Sequence, residues 1–304
     1  TTLTFIITVT AVNDAPSFLI ASNPAASLED AGLQIVPAFA TNISAGAPNE
    51  SGQMLTFNLT QTSTTGGLTF FTAPSIDPVT GNLVYLADLN ANGTATYRVT
   101  LSDNGGGTDT SAAQFFTISV TAVNDAPVFV LSGNPPTVFE DAGSQTIAAF
   151  ATGISAGAAN ESSQLLTFNL LLTSSTGGLT FLTSPTIDPV TGVLTYQADA
   201  NANGSATFSV TLMDNGGTAN GGSDTSLAQV FTITITPVND APSFTLAGDP
   251  PTVVEDAGLQ SVANFATNIS AGAANEFNQT LTFIVTPTGS TGGLTFTTAP
   301  SIDP

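Results

Sequence analysis

The stretch Val123-Asn124-Asp125-Ala126-Pro127 occurs three times in the 304-residue chain, and its other copies begin at Val12 and Val238. Successive copies are 111 and 115 residues apart. This period is too long for a helical solenoid unit and is typical of one sandwich domain. The sequence therefore predicts a tandem array of similar domains joined at these stretches.

The acidic residues follow the same period. The chain has 22 Asp and Glu residues against a single basic residue, Arg98, which gives a net charge of −21. All acidic residues except Asp249 fall into eight classes that recur with the repeat. Because phosphates are bound by Lys and Arg, this composition excludes nucleic acid as a partner. Small cations are the natural counter-charges.

The residue types that are absent limit the possible functions. The chain has no Cys, His or Lys, which excludes disulfides, Cys/His zinc sites and the usual activated nucleophiles and bases. Paired carboxylates can serve a glycosidase. However, the acids map to repeat ends, and every repeat would then be the same small enzyme. We therefore predict a protein that is not an enzyme.

Short apolar runs that alternate with Thr and Ser predict an all-β fold. Gly, Pro and Asn separate these runs, and the aromatic residues within them are predicted to form the cores. In the first repeat the predicted strands are 55–59, 68–70, 81–86, 95–101 and 115–123. The expected architecture is a series of Greek-key antiparallel β-sandwiches arranged end to end as a rod.

The period also sets the expected domain boundaries. Residues 1–14 are assigned to the closing strand of an upstream repeat, and 15–125 and 126–240 to two complete repeats. Residues 241–304 are assigned to the first part of a third, truncated repeat. The chain is thus expected to be a window of a longer polypeptide, and this window contains no signal peptide or membrane span.

The densest group of oxygen ligands is Asp88-Leu89-Asn90-Ala91-Asn92-Gly93, which recurs at 199–204. Calcium takes six to eight such oxygens, and this alternation resembles the start of a helix-loop-helix calcium loop. Val99 stands where such a loop has its twelfth-position Glu, and no flanking helix is predicted. A site between a strand and a turn is therefore the better interpretation.

Four motifs, in this order, resemble those of cadherins. They are the linker stretch at 12–18, Leu28-Glu29-Asp30, Ala87-Asp88-Leu89-Asn90 and Leu101-Ser102-Asp103-Asn104-Gly105. The chain is more similar still to cadherin-like or immunoglobulin-like repeats of giant bacterial surface proteins, which share the Ile-Ser-Ala-Gly…Asn-Glu-Ser…Gln segment at 43–53 and 154–164. The resemblance implies calcium at the joints between repeats.

Carried over residue by residue, the resemblance implies a ligand set at each joint. At the joint near 125 the set is Glu29, Asp88, Asn90, Asn124, Asp125, Glu161 and Asp214. At the joint near 240 it is Glu140, Asp199, Asn201, Asn239, Asp240 and Glu276. At the joint near 14 it is Asn13, Asp14, Glu50 and Asp103.

The chain departs from the cadherin pattern in its acidic residues. Asn42-Ile43-Ser44 replaces an Asp-x-Asp motif, and Thr10 or Ala11 stands where the linker would open with an acid. Fewer or weaker ions are therefore expected at each joint. Asp77 and Asp109 are predicted to shape turns rather than bind metal, and Asp30 is left between the two roles.

These features predict a structural segment of an extracellular bacterial adhesin stalk or fibre, stiffened by calcium. Its partners would be neighbouring repeats of the same long chain, with like chains in a filament or on adjacent cells as a further possibility. The alternatives are a homophilic or glycan-binding adhesion module and a subunit of a self-polymerising filament. The absence of Trp makes glycan recognition the weaker alternative.

Overall fold

The computed structural model describes residues 2–289 and 292–304, which form two compact units. The first unit comprises the chain up to Pro127 together with Ser155–Leu165 and Asp214–Thr225. The second comprises Val128–Ile154, Leu166–Met213 and Ser226–Pro304. The linker at 123–127 thus belongs to the same unit as two segments of the following repeat.

The first repeat forms three sheets. In chain order its strands are β1 (Ser17–Ile20), β2 (Ser27–Leu28), β3 (Gln34–Val36), β4 (Ala40–Ser44), β5 (Thr56–Thr65), β6 (Phe70–Ile76), β7 (Leu83–Ala87), β8 (Gly93–Ser102) and β9 (Gln114–Thr121). The largest sheet has the strand order β2-β9-β8-β5, and the smaller sheets are β3-β7-β6 and β1-β4. The predicted all-β sandwich is confirmed.

One pairing differs from a purely antiparallel sandwich. Strand β2 lies parallel to β9, with Ser27 opposite Val120, whereas the other pairings of this repeat are antiparallel. The chain leaves β1, which pairs with β4, and crosses to the large sheet before it forms β2. This crossing places Glu29, the residue after β2, beside the end of β9, where the linker begins.

The core of the first repeat follows the two-residue period of its strands. Ala95, Tyr97, Val99 and Leu101 on β8 are all buried and pack in one cluster with Tyr85 of β7. Alternation along a strand sends successive side chains to opposite faces. Full burial of each large apolar side chain contributes about 1.5–3 kcal/mol to folding.

The prediction that the aromatic residues are core is wrong at several positions. Phe116 is buried, but its neighbour Phe115 is 60% exposed. Likewise Phe70 packs on the core, whereas Phe71 is 80% exposed. Two adjacent Phe residues on a strand cannot both face inward, so one member of each pair, Phe115 or Phe71, faces solvent.

The second repeat forms the same strands in the same order. They are β10 (Val128–Leu131), β11 (Val138–Phe139), β12 (Gln145–Ile147), β13 (Ala151–Ser155), β14 (Thr167–Thr176), β15 (Phe181–Ile187), β16 (Leu194–Ala198), β17 (Gly204–Met213) and β18 (Gln229–Thr236). The sheets are β11-β18-β17-β14, β12-β16-β15 and β10-β13.

The ends of the described chain carry few strands. After residue 241 only β19 (Ser243–Leu246) and β20 (Ala266–Ser270) form in the described part. Residues 2–12 form no strand, since no described residue pairs with them, and their assignment to an upstream repeat stays a prediction.

Four short 3₁₀ turns complete the secondary structure of residues 2–289 and 292–304. They are Pro48–Glu50, Ala159–Glu161, Ala219–Gly221 and Ala274–Glu276. No helix in this described part has the length and apolar character needed to cross a membrane.

Candidate functional site

The predicted ligands of the joint near 125 come from five places in the fold. Glu29 follows β2, and Asp88 and Asn90 lie in the turn between β7 and β8. Glu161 ends a 3₁₀ turn after β13, and Asp214 follows β17. The linker follows β9, so all these elements end at the same joint within the first unit.

The upstream side of the linker is held by Glu29. This carboxylate is only 4% exposed, and one of its oxygens accepts the backbone N–H of Val123. The other oxygen accepts the side-chain amide of Asn92 at 3.0 Å. Hydrogen bonds to an ionised acceptor are among the stronger ones in proteins. Glu29 therefore ties the linker to the turn that contains the predicted metal ligands.

The downstream side is held by Glu161, which is 6% exposed. Its Oε1 accepts the backbone N–H of Asp125 at 2.9 Å, and its Oε2 accepts the backbone N–H of Ala158 at 3.0 Å. The same carboxylate thus closes its own 3₁₀ turn and holds the linker. Both oxygens of this predicted metal ligand are engaged by N–H groups.

Asn124 lies at the centre of a second downstream contact. Its Nδ2 donates to Asp214 Oδ1 at 2.9 Å and to the Ser223 carbonyl at 2.7 Å, while its Oδ1 accepts Gln164 Nε2 at 2.7 Å. Asp214 Oδ1 also accepts the N–H of Gly216 at 2.9 Å. Every hydrogen-bonding group of the Asn124 side chain is therefore engaged.

The turn that carries Asp88 and Asn90 is connected to Asp30. Asp30 Oδ1 accepts the backbone N–H of Asn90 at 3.0 Å, and the carbonyl of Asp88 accepts the N–H of Ala91 at 3.1 Å. Partial burial, and then the negative charge of Asp30, raise the pKa of Asp125. The like charges of Asp30 and Asp125 oppose each other at this joint.

The joint near 240 repeats these contacts within the second unit. Glu140 accepts the N–H of Val238 at 2.6 Å and the amide of Asn203 at 3.0 Å, and Glu276 accepts the N–H of Asp240 at 2.8 Å. Partial burial, followed by the charges of Glu276, Asp141 and Glu140, raises the pKa of Asp240. Asp199 and Asn201 lie in the turn that matches 88–92, and Asn201 donates its N–H to Asp141 at 2.9 Å.

The joint near 14 shows the downstream contacts again. Asn13 donates to Asp103 Oδ1 at 3.1 Å and accepts Gln53 Nε2 at 2.7 Å. Asp14 donates its N–H to Glu50 Oε1 at 3.0 Å. In all three Val-Asn-Asp-Ala-Pro stretches the Asp N–H therefore donates to a Glu of the repeat that follows, and the Asn side chain accepts a Gln amide.

The fit of these residues to a calcium-type ion rests on their free oxygens. Asp103 Oδ2, Asp214 Oδ2 and Glu276 Oε2 are buried without a hydrogen-bond partner. A buried anionic oxygen with no donor is costly unless a cation or water neutralises it. In the described ranges 2–289 and 292–304, however, no three acidic side chains lie close enough to form a metal-binding group. The donor chemistry fits calcium, whereas both oxygens of Glu29 and of Glu161 already accept hydrogen bonds from the protein.

The structure brings most of the predicted residues of the joint near 125 into one network. Glu29, Asn124, Asp125, Glu161 and Asp214 are linked through the linker, as described above. The residues that sequence reasoning missed are neutral amides, namely Gln53, Gln164, Gln279, Asn92 and Asn203. These amides recur in the sequence with the same repeat spacing as the acids, and this spacing could have identified them.

Asp77 is confirmed as a turn former. Its Oδ1 accepts the N–H groups of Val79 and Thr80 and the hydroxyl of Thr80, which lower the pKa of Asp77. Asp109 contributes its carbonyl to the N–H of Asp103 at 3.0 Å and its carboxylate to Thr110 at 3.0 Å. Both acids therefore shape loops within the first repeat.

Comparison with known proteins gives structural likeness only. No model of a protein family matches the sequence, and neither does any curated protein. The chain is similar to the first two extracellular domains of human mucin-like protocadherin, at 15% identity and a TM-score of 0.41, over 73% of this chain and 99% of that one. For the same domains of human protocadherin-24 the values are 18%, 0.40, 74% and 100%.

A third solved structure with this likeness is Drosophila N-cadherin EC1–3. It is 14% identical, with a TM-score of 0.25, over 74% of this chain and 69% of that one. Likeness at these values carries no functional argument, and the fold assignment stands on the strand pairing itself.

Proposed function

We propose that this chain is a structural segment of an extracellular adhesin stalk or fibre of a bacterium, with repeats at 15–125 and 126–240. The observation that supports the proposal is the burial of recurring acids at the joints. Glu29, Glu161 and Asp214 are 4%, 6% and 7% exposed, and each contacts the linker. Acids that are buried against a linker in every repeat suit a role in fixing that linker.

Calcium is the proposed counter-ion. Asp88, Asn90 and Asp125 would offer it oxygens from the upstream side, and Asp214 Oδ2 would do so from the downstream side. Bound calcium would neutralise the opposing charges of Asp30 and Asp125 and tie separate chain segments together. Extracellular modules bind calcium at about 10⁻⁴–10⁻³ M, which suits a protein outside the cell.

Small-angle scattering and limited proteolysis test this proposal. In calcium we expect an extended particle that resists cleavage at 123–127, and in chelator a more flexible one that is cut there. Magnesium is the matched control, because it demands near-octahedral geometry and gives up its waters reluctantly. Identical scattering and cleavage in calcium and chelator would refute the calcium role, and equal effects of both ions would reduce it to charge screening.

The glycan-binding alternative receives no support from the Trp and Tyr residues. The chain has no Trp, and its three Tyr residues, Tyr85, Tyr97 and Tyr196, are 1%, 6% and 0% exposed. Sugar-binding surfaces present aromatic faces to their ligand, and these rings pack in the cores instead.

A further inference from the structure

The same pair of contacts holds the linker to the following repeat at all three joints. The N–H groups of Asp14, Asp125 and Asp240 donate to Glu50, Glu161 and Glu276 at 3.0, 2.9 and 2.8 Å. The amides of Gln53, Gln164 and Gln279 donate to Asn13, Asn124 and Asn239 at 2.7, 2.7 and 2.9 Å. Both contacts come from one short segment, Gly-Ala-x-Asn-Glu-x-x-Gln, at 46–53, 157–164 and 272–279.

The groups that hold the linker are donors and acceptors of the protein itself, although Gln164 Oε1 and Asp214 Oδ2 are buried without a hydrogen-bond partner. Glu161 places one oxygen on the linker and the other on the N–H of Ala158, so both oxygens of the carboxylate have donors. Asn124 has all its polar groups satisfied by Gln164, Asp214 and the Ser223 carbonyl. Charge-assisted hydrogen bonds of this kind are roughly twice as strong as neutral ones.

Two glycines let the backbones approach closely enough to form this network. Gly157 has φ +134°, and a Cβ built there would lie 2.9 Å from Asp125 Cβ and closer still to Glu161 Oε2. A Cβ at Gly216 would overlap Asn124 Oδ1. A side chain at either position would clash with the linker, so the network of contacts between the linker and the repeat requires both glycines.

We propose that each Val-Asn-Asp-Ala-Pro linker is fastened to the repeat that follows it by a hydrogen-bonded clamp that needs no metal ion. At the joint near 125 the clamp consists of Glu161, Gln164 and Asp214, which hold Asn124 and Asp125. This inference deepens the proposed function and rests on it only for the role of the joint. The response of the joint to cations then belongs to the carboxylates that the clamp does not use in full, namely Asp30 and Asp125 on the upstream side and the Asp214 Oδ2 oxygen on the downstream side.

Residue-resolved amide hydrogen exchange on the full 304-residue chain tests the clamp. The N–H of Asp125 donates to Glu161, and the N–H of Ser223 donates to the carbonyl of Asn124 at 2.9 Å. Because both acceptors are protein atoms, we expect the exchange rate of each N–H in the wild type to differ by less than about threefold between calcium and chelator. Exchange of the Asp125 N–H that becomes more than about tenfold faster in chelator would overturn the clamp, since an ion would then be holding the linker.

The variant Gln164→Leu provides a second test of the clamp in the same exchange experiment. It keeps the size of the side chain but leaves Asn124 Oδ1 without its donor, so exchange at Asp125 and Ser223 should be about tenfold faster or more in both buffers. Gln145→Leu is the matched control, because Gln145 donates to Ala142 and Gly143 rather than to a linker. If Gln164→Leu behaves like this control, the clamp is wrong.

The two proposals fail in different ways. If calcium changes neither the scattering nor the exchange of any joint residue, the calcium role falls while the clamp stands on the effect of Gln164→Leu. If protection of Asp125 depends on calcium, the clamp falls and the calcium role stands.

Discussion

Exchange of one acid for its amide should have unequal effects at the two ends of the same joint. Glu29 and Glu161 are both buried carboxylates with two donors each. The donors of Glu29 are the N–H of Val123 and the side-chain amide of Asn92, whereas both donors of Glu161 are backbone N–H groups. A side-chain amide can rotate to present its oxygen, and a backbone N–H cannot.

The magnitude follows from this difference. Glu29→Gln and Glu161→Gln each lose the charge assistance of two hydrogen bonds, about 1 kcal/mol per bond. In Glu29→Gln the new NH₂ can donate to a rotated Asn92. In Glu161→Gln the new NH₂ faces a fixed N–H, which leaves a buried donor unpaired at a further cost of about 1–3 kcal/mol. We therefore expect Glu161→Gln to be less stable than Glu29→Gln by that last amount.

Scanning calorimetry in chelator measures the difference. For a domain of this size about 1 kcal/mol moves the melting temperature by roughly 4 °C, so Glu161→Gln should melt at least several degrees below Glu29→Gln. Glu255→Gln is the matched control for the loss of one charge, because Glu255 is the exposed third-repeat counterpart of Glu29. Equal melting temperatures for the two variants, or a lower one for Glu29→Gln, would refute the assignment of the donors.

Three further predictions concern other acids and the core. Because the pKa of Asp125 is raised, its ionised form opposes folding, and the stability that its protonated form confers is lost as pH rises through the folded pKa. In chelator at pH 7, Asp125→Asn should therefore have a higher melting temperature than the wild type, and this difference should disappear towards pH 4. A difference that does not change with pH would contradict the Asp30 repulsion. Because hydrogen bonds lower the pKa of Asp77, its contribution to stability is present above the unfolded-state pKa of 3.8 and is lost as pH falls through the folded-state pKa. Asp77→Ala should therefore lower the melting temperature at pH 7 and have less effect near pH 3. An effect that is constant with pH would mean that the charge of Asp77 is irrelevant. Leu212→Ala removes a fully buried side chain and should destabilise the second repeat by about 2–5 kcal/mol in denaturant titration. The control Leu227→Ala, at a residue that is 90% exposed, should change stability by less than about 0.5 kcal/mol. Similar losses of stability in the two variants would show that the core is assigned wrongly.

The fold was predictable because strand alternation and the repeat period act locally along the chain. The predicted strand 95–101 lies within β8, and 115–121 of the predicted 115–123 lies within β9. The parallel pairing of β2 was not predictable, because it depends on where the chain crosses between sheets rather than on local pattern. Phe115 was assigned to the core because residue type was given more weight than its position beside Phe116.

The site was predictable in its residues but not in its contacts. The resemblance to cadherins implied that Glu29, Glu161 and Asp214 meet at one joint, and the structure places all three against the linker. The spacing of residues does not show whether a carboxylate contacts a cation or an N–H group, because a carboxylate suits either partner. Gln164 recurs with the same period, but it is absent from the predicted ligand set because it contacts the linker by a hydrogen bond and not by a charge.

The recurring acids therefore divide by the partners that neutralise them. Glu29 and Glu161 face N–H groups, which cannot leave, so their contribution to the joint is permanent as long as the chain is folded. Burial, and then the negative charge of Asp30, raise the pKa of Asp125, so a proton or a cation at Asp125 would lower the repulsion between the two carboxylates. A chain with a net charge of −21 and a single basic residue has no internal cation to spare for such pairs. Under the two proposals above, the response of the joint to dissolved cations involves the Asp30–Asp125 pair, while its connection to the next repeat comes from the clamp, so we expect mutations to change the two properties separately.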